Sequence, residues 1–135
     1  MTRALVALGS NLGERRSHLA WAVARLRGLA RTRLEAATPP LATPPLGGPP
    51  QGDYLNAVAR LDTELSPMGL LIELKRLEAE RGRRPGPRWG PRTLDLDILR
   101  YGRARLRGPF LTLPHPRLGG RAFLRRLVQM IESPR

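Results

Sequence analysis

The stretch TPPLATPPLGGPPQGD, from Thr38 to Asp53, carries six prolines and constrains the fold more than any other part of the chain. Proline lacks the amide hydrogen and locks φ, so neither a helix interior nor a central strand can run through it. Regular structure must therefore be built on either side of a stiff loop, and a loop of this length in a small domain points to function. Upstream, Thr2 to Leu8 reads as a short buried strand bounded by Gly9-Ser10-Asn11. From Ser17 on, Leu19, Ala22, Val23, Leu26, Leu29 and Ala30 recur at helical steps and make one apolar face. Arg31 to Thr38 is a weaker strand leading into the proline segment.

Downstream, Tyr54 to Leu65 alternates through Leu55, Ala57, Ala59 and Leu61, which predicts a second strong strand. Ser66-Pro67 is a helix start, a hydroxyl cap followed by proline at the first helical position. That helix buries Leu70, Leu71, Leu74 and Leu77 and stops at Gly82. Arg83 to Thr93 is a second loop, and Leu94 to Tyr101 is a strand that turns through Gly102 and Arg103 into a hairpin with Ala104 to Arg107. A short strand near Leu111 to Leu113 and a helix from Gly120 to Ile131 follow. The order βαββαβ with a trailing hairpin and helix predicts an α+β fold. It is expected to be ferredoxin-like (split βαβ), an antiparallel-rich sheet with helices packed on it, in one domain over residues 1–135.

The chain has no cysteine, which removes disulfides, thiolate metal sites and cysteine nucleophiles together. The longest uncharged stretch lies in the proline loop, and the apolar run before Gly9 is too short for a signal peptide, so a cytoplasmic protein without a membrane span is expected. Lys and Arg number 24 against 11 Asp and Glu, a net charge of +13 that asks for an anionic partner. Lys75 is the only lysine, so the charge is carried by arginine forks suited to phosphate oxygens.

Against that background RWGPRTLDLDI, Arg88 to Ile98, sets two carboxylates one residue apart behind a cluster of arginines. On a strand, Leu94, Leu96 and Ile98 face one way while Asp95 and Asp97 face the other, roughly 6.6–7 Å apart along the chain. An amphipathic strand showing its polar face to solvent has the same pattern. The arginines at 81, 83, 84, 88 and 92 argue for more, because hard carboxylate oxygens facing so many cations call for magnesium and a polyphosphate between them. No G-x-x-x-x-G-K-[ST] loop is present, and the one lysine is placed mid-helix. The backbone amides of Gly9 to Gly13 offer only an ordinary strand-to-helix turn.

These residues resemble a family. RWGPRTLDLDI is similar to the signature of 6-hydroxymethyl-7,8-dihydropterin pyrophosphokinases, and ALGSNLG (Ala7 to Gly13), TPPLG (Thr43 to Gly47), DYLNA (Asp53 to Ala57) and LTLPHPRL (Leu111 to Leu118) agree in order and spacing. The resemblance implies transfer of the β,γ-diphosphate of ATP to the pterin hydroxymethyl group, in folate biosynthesis, with release of AMP. It implies Asp95 and Asp97 as ligands of two magnesium ions, and Arg92 and Arg83 as further catalytic groups. Pterin would be held by Thr43, Pro44, Leu46, Tyr54, Asn56, Trp89 and Phe123, the two rings of Tyr54 and Phe123 sandwiching the heterocycle and Trp89 closing over it. ATP would meet Glu78, Arg88, Arg92, Ile98, Thr112, His115 and Arg121. Partners are thereby limited to ATP and the pterin, with no nucleic acid and no membrane, and a monomer is expected. The chain departs from the pattern in a loop about one residue shorter between Gly82 and Arg88, in Phe110 where a basic residue can stand, and in a short C-terminus.

Two other readings use the same residues. A basic nucleic-acid-binding module suits the charge, but such a module would show aromatics among basic residues on a central strand, where this chain shows aspartates. A magnesium-dependent nuclease or nucleotidyltransferase would use the acidic pair without requiring Tyr54, Asn56 and Phe123.

Overall fold

The computed structural model describes residues 1–44, 51–83 and 93–132. In chain order the elements are β1 (Thr2–Ser10), α1 (Arg15–Arg27), β2 (Thr32–Ala37), β3 (Leu41–Thr43), β4 (Tyr54–Thr63), α2 (Pro67–Glu80), β5 (Asp95–Tyr101), β6 (Leu106–Arg107), β7 (Thr112–Leu113) and α3 (Ala122–Glu132). The main sheet runs β2-β4-β1-β5, with β3 continuing the edge of β4 beyond β2, and every pairing is antiparallel. The result is a mixed α+β fold.

Both faces of the sheet are covered. On one face, Val6, Leu8, Leu55, Leu61, Leu96 and Ile98 pack with Leu19 and Leu26 of α1 and Leu70 and Leu74 of α2. On the other, Leu5, Val58 and Leu99 meet Leu124, Leu127, Val128 and Ile131 of α3. The apolar stripe of α3 accounts for that contact, and the end of the helix is tied down by charge. Arg60 donates to the Ile131 carbonyl at 2.6 Å and Arg100 to Glu132 at 3.1 Å, cations where a helix C-terminus favours them. α2 begins as its sequence requires. The Ser66 hydroxyl accepts from the Gly69 amide at 3.0 Å, a cap worth about 1 kcal/mol. At its far end Arg81 lies over Trp21 of α1, 5.1 Å from the ring centroid, and donates to His18 Nδ1 at 2.9 Å.

Three local expectations are corrected. The proline segment is not without structure, because Leu41–Thr43 forms β3 against Leu55 and its neighbours. Pro40 and Pro44 flank these three residues, so the missing amides fall outside the ladder. Gly9 and Ser10 do not end the first strand but extend it, since β4 on one side pairs with both and β5 on the other reaches Gly9. Leu106–Arg107 pairs with β7 and not with β5. The outer edge of β5 is already taken, by the Glu78 carboxylate at the Leu96 amide and by the His115 amide at the Leu99 carbonyl.

Candidate active site

Strand alternation sets the site. Leu94, Leu96 and Ile98 are buried in the core layer beneath α1 and α2, which turns Asp95 and Asp97 onto the opposite face, both half-buried. Pairing then carries that face across the sheet. Asp97 lies beside Ala7, which lies beside Val58; one step along, Asp95 lies beside Gly9, which lies beside Asn56. At about 4.8 Å per strand, the Asp95 and Asn56 positions stand about 10 Å apart on one face. Gly9 keeps the sheet surface bare between them. A Cβ there would sit 3.4 Å from Asn56 Oδ1 and 3.5 Å from the Tyr54 ring.

Asn56 is a poor strand former whose place is explained by its hydrogen bonds. Its Nδ2 donates to Thr43 Oγ1 at 2.6 Å and, more weakly, to the Leu41 carbonyl at 3.4 Å, so the amide nitrogen is anchored to β3. Its oxygen is left toward the bare strip over Gly9. The proline segment thus has a structural task, since without β3 this amide would have no fixed orientation. Tyr54, half-buried, opens β4 opposite Thr43, and exposed Pro44 follows directly. Phe123, in the first turn of α3, packs against the second core layer, where Ala7 and Leu41 also pack.

Charge surrounds the acidic pair. Arg83 donates to Asp95 Oδ1 at 2.9 Å and pairs with Glu78 Oε2 at the same distance. Glu78 is buried in the last turns of α2, and burial pushes its carboxyl upward against the pull of Lys75, the Leu96 amide and Arg83. Asp97 is pushed up to about 6, mainly by burial and then by the charge of Asp95. Arg121, just before α3, is within electrostatic range of Asp97, Tyr54 and Asp95, and burial and Arg117 lower its pKa. His115 is held below its usual range by burial and by Arg117. Its Nδ1 accepts from the Arg117 amide at 3.2 Å, so the neutral ring carries its proton on Nε2, as a donor for an anion.

The shift of Asp97 has a consequence for the metal-free protein. With the folded pKa above the ordinary 3.8, the folded state binds more protons between those two values, so stability falls as pH rises through that window. Above about pH 6 the charge on Asp97 costs about 1–3 kcal/mol. Asp97→Asn is therefore expected to raise the unfolding free energy at pH 7.5 by that amount and to lose the gain below about pH 4. Chemical denaturation of metal-free protein at the two pH values checks it.

The structure brings Asp95, Asp97, Arg83, Asn56, Tyr54, Thr43, His115 and Arg121 toward one end of the sheet. Thr112 lies half-buried in β7. Ile98 turns its side chain into the opposite core layer, so only its backbone is available to a ligand. Leu46, Arg88, Trp89 and Arg92 lie outside the described residues. Three positions go beyond what the sequence suggests. Gly9 matters only through its cross-strand neighbours, and Arg117 through its closeness to His115 and Arg121. Lys75, although mid-helix, reaches both oxygens of Glu78 at 3.3 and 3.4 Å, one turn along the same helix. Its spacing of three residues from Glu78 is the available signal.

The donor set suits magnesium. Two hard carboxylates share one face, and the cost of a charged Asp97, set by burial and then by Asp95, is what a divalent cation would offset. Among the described residues no group of three or more His, Cys, Asp or Glu converges.

Residues 5–133 match the family model described as 7,8-dihydro-6-hydroxymethylpterin-pyrophosphokinase (HPPK). The chain is 47% identical over 122 residues to a 2-amino-4-hydroxy-6-hydroxymethyldihydropteridine pyrophosphokinase of Pseudomonas aeruginosa, covering 90% of this chain and 75% of that protein. It is 45% identical over 124 residues to the protein so named from Haemophilus influenzae, covering 92% and 78%. Against the mitochondrial folate synthesis bifunctional protein of Pisum sativum it is 41% identical over 125 residues, covering 89% of this chain and 23% of the larger one. Identity of this extent spans the strands that carry the acidic pair and the anchored amide alike, and the chain belongs to the 7,8-dihydro-6-hydroxymethylpterin-pyrophosphokinase family.

Proposed function

We propose that the protein transfers the β,γ-diphosphate of ATP to the hydroxymethyl oxygen of 6-hydroxymethyl-7,8-dihydropterin, a step of folate biosynthesis that releases AMP. Family membership supports the reaction. The observation that carries it is the row Asp95–Gly9–Asn56, with a half-buried carboxylate at one end and an anchored amide at the other. In this reading Asn56 reads the ring edge, Tyr54 and Phe123 hold its faces, and Thr43 and Pro44, with Leu46 and Trp89, complete the pocket. Arg83, Arg121 and His115, with Arg88 and Arg92, hold the polyphosphate, while Ile98 (through its backbone) and Thr112 meet the nucleotide.

The hydroxymethyl oxygen bonds to the β-phosphorus, the bond from that phosphorus to the α,β-bridging oxygen breaks, and AMP departs with the electron pair. The hydroxyl proton is released. Catalysis is then mostly positioning and electrostatics: the pocket holds the oxygen in line, and arginine together with the Nε2 proton of His115 balances charge on the transferred group. Asp95 and Asp97 would hold magnesium, which when bound supplies charge neutralisation on the polyphosphate. The reading includes a ferredoxin-like sheet, for which the strand order β2-β4-β1-β5 is the support, and one cytoplasmic, monomeric domain.

The test follows AMP and pterin diphosphate from ATP and 6-hydroxymethyl-7,8-dihydropterin, with and without magnesium. Equal yields of both products, dependent on pterin and metal, are expected. Folded protein that releases no AMP with every component present would overturn the assignment.

A further inference from the structure

Glu78 is the one charged side chain among the described residues that is buried in the core, at 3% exposed. Stripping a carboxylate of water costs several kcal/mol unless close partners repay it. The partners it has chosen bear on the acidic pair. Its Oε2 accepts the Leu96 amide at 2.7 Å, and Leu96 is the residue between Asp95 and Asp97. The same oxygen pairs with Arg83 Nη1 at 2.9 Å, and that nitrogen also donates to Asp95 Oδ1 at 2.9 Å. Lys75 spans both oxygens from the helix side.

β5 is the outer strand of its sheet. An outer strand has amides with no ladder partner, and it is free to shift or twist unless something takes them. The Leu96 amide is such a group, and it lies between the two aspartates on the edge away from β1. A satisfied carboxylate there fixes the peptide that sets how Asp95 and Asp97 present their oxygens. It also fixes Arg83 against Asp95.

We propose that Glu78 is a positioning residue for the acidic pair, acting on the affinity for metal–nucleotide through the Leu96 amide and Arg83 and not through a contact of its own with ATP. The proposal rests on Asp95 and Asp97 as the cation-holding groups, and it replaces the direct nucleotide contact that resemblance implied for Glu78. Partners that orient a metal-binding group commonly change metal affinity by about 10–100-fold when removed.

The test measures binding of manganese with α,β-methylene-ATP, in which the bond to be broken is blocked, by calorimetry and by the electron paramagnetic resonance of free manganese. Glu78→Met fills the same volume with no acceptor, and it is expected to weaken binding about tenfold or more. Glu78→Gln keeps an oxygen for the Leu96 amide and is expected to stay within about threefold of wild type. Wild-type binding by Glu78→Met would overturn the proposal. So would a folded Glu78→Gln that loses tenfold or more, since charge or direct contact would then be what matters, and this second result stands even if Glu78→Met fails to fold. Asp95→Asn runs alongside: if it binds like wild type, the reading of the acidic pair fails and the proposal with it. If it weakens binding while Glu78→Met does not, the positioning role alone is refuted.

Discussion

Asp97→Ala is expected to lower kcat by about 10³-fold or more while leaving the protein at least as stable as wild type at pH 7.5. The rate effect follows from removing one of two carboxylates that would hold the cation, a role worth several kcal/mol where charge develops on the transferred group, at about 1.4 kcal/mol for each tenfold. The stability effect has the opposite sign because Asp97 is held charged at a cost: burial and the neighbouring Asp95 push it up to about 6. A structural aspartate would behave otherwise, losing stability and activity together. Parallel measurement of AMP release and of the unfolding midpoint separates the two. A variant that keeps activity within tenfold of wild type would rule out Asp97 as a group essential to phosphoryl transfer.

Asn56→Ala is expected to lower kcat/KM for the pterin by about 30–150-fold, which corresponds to about 2–3 kcal/mol for removing a buried hydrogen-bonding group. The truncation removes the oxygen directed over Gly9 and leaves the buried Thr43 hydroxyl without its 2.6 Å partner. A stability loss of about 1–3 kcal/mol should accompany it. KM for ATP should move little, because the acidic pair begins two strands away, about 10 Å across the sheet. Initial rates with each substrate varied in turn give this split. Equal effects on both substrates would mean that Asn56 supports the sheet and does not read the pterin.

Much of the site is readable locally. The Leu94 to Ile98 alternation puts the aspartates on one face because successive strand side chains point to opposite sides, a property of the backbone that needs no partner. Ser66-Pro67 announces α2 because a hydroxyl cap and a preset φ act within one turn. The oddity of Asn56 in a strand is visible as a clash with propensity, and its explanation, the bond to Thr43, lies across the proline segment. That segment reads as lacking structure because its three pairing residues sit between prolines, where local rules see only a loop. Sequence proximity assigns Leu106–Arg107 to the wrong partner, because it does not reveal that the outer edge of β5 is already occupied.

What this sequence determined by itself is therefore what the backbone settles within a few residues: which stretches are helix or strand, which side of β5 is acid, and where the arginines gather. Tertiary structure decided the rest. Gly9 became the gap between Asp95 and Asn56, Glu78 came to stand at the outer edge of β5, and Arg117 joined His115 and Arg121. Each of these depends on register and on which edge is left open. Burial of two apolar faces at once selects both, and no single segment carries that information.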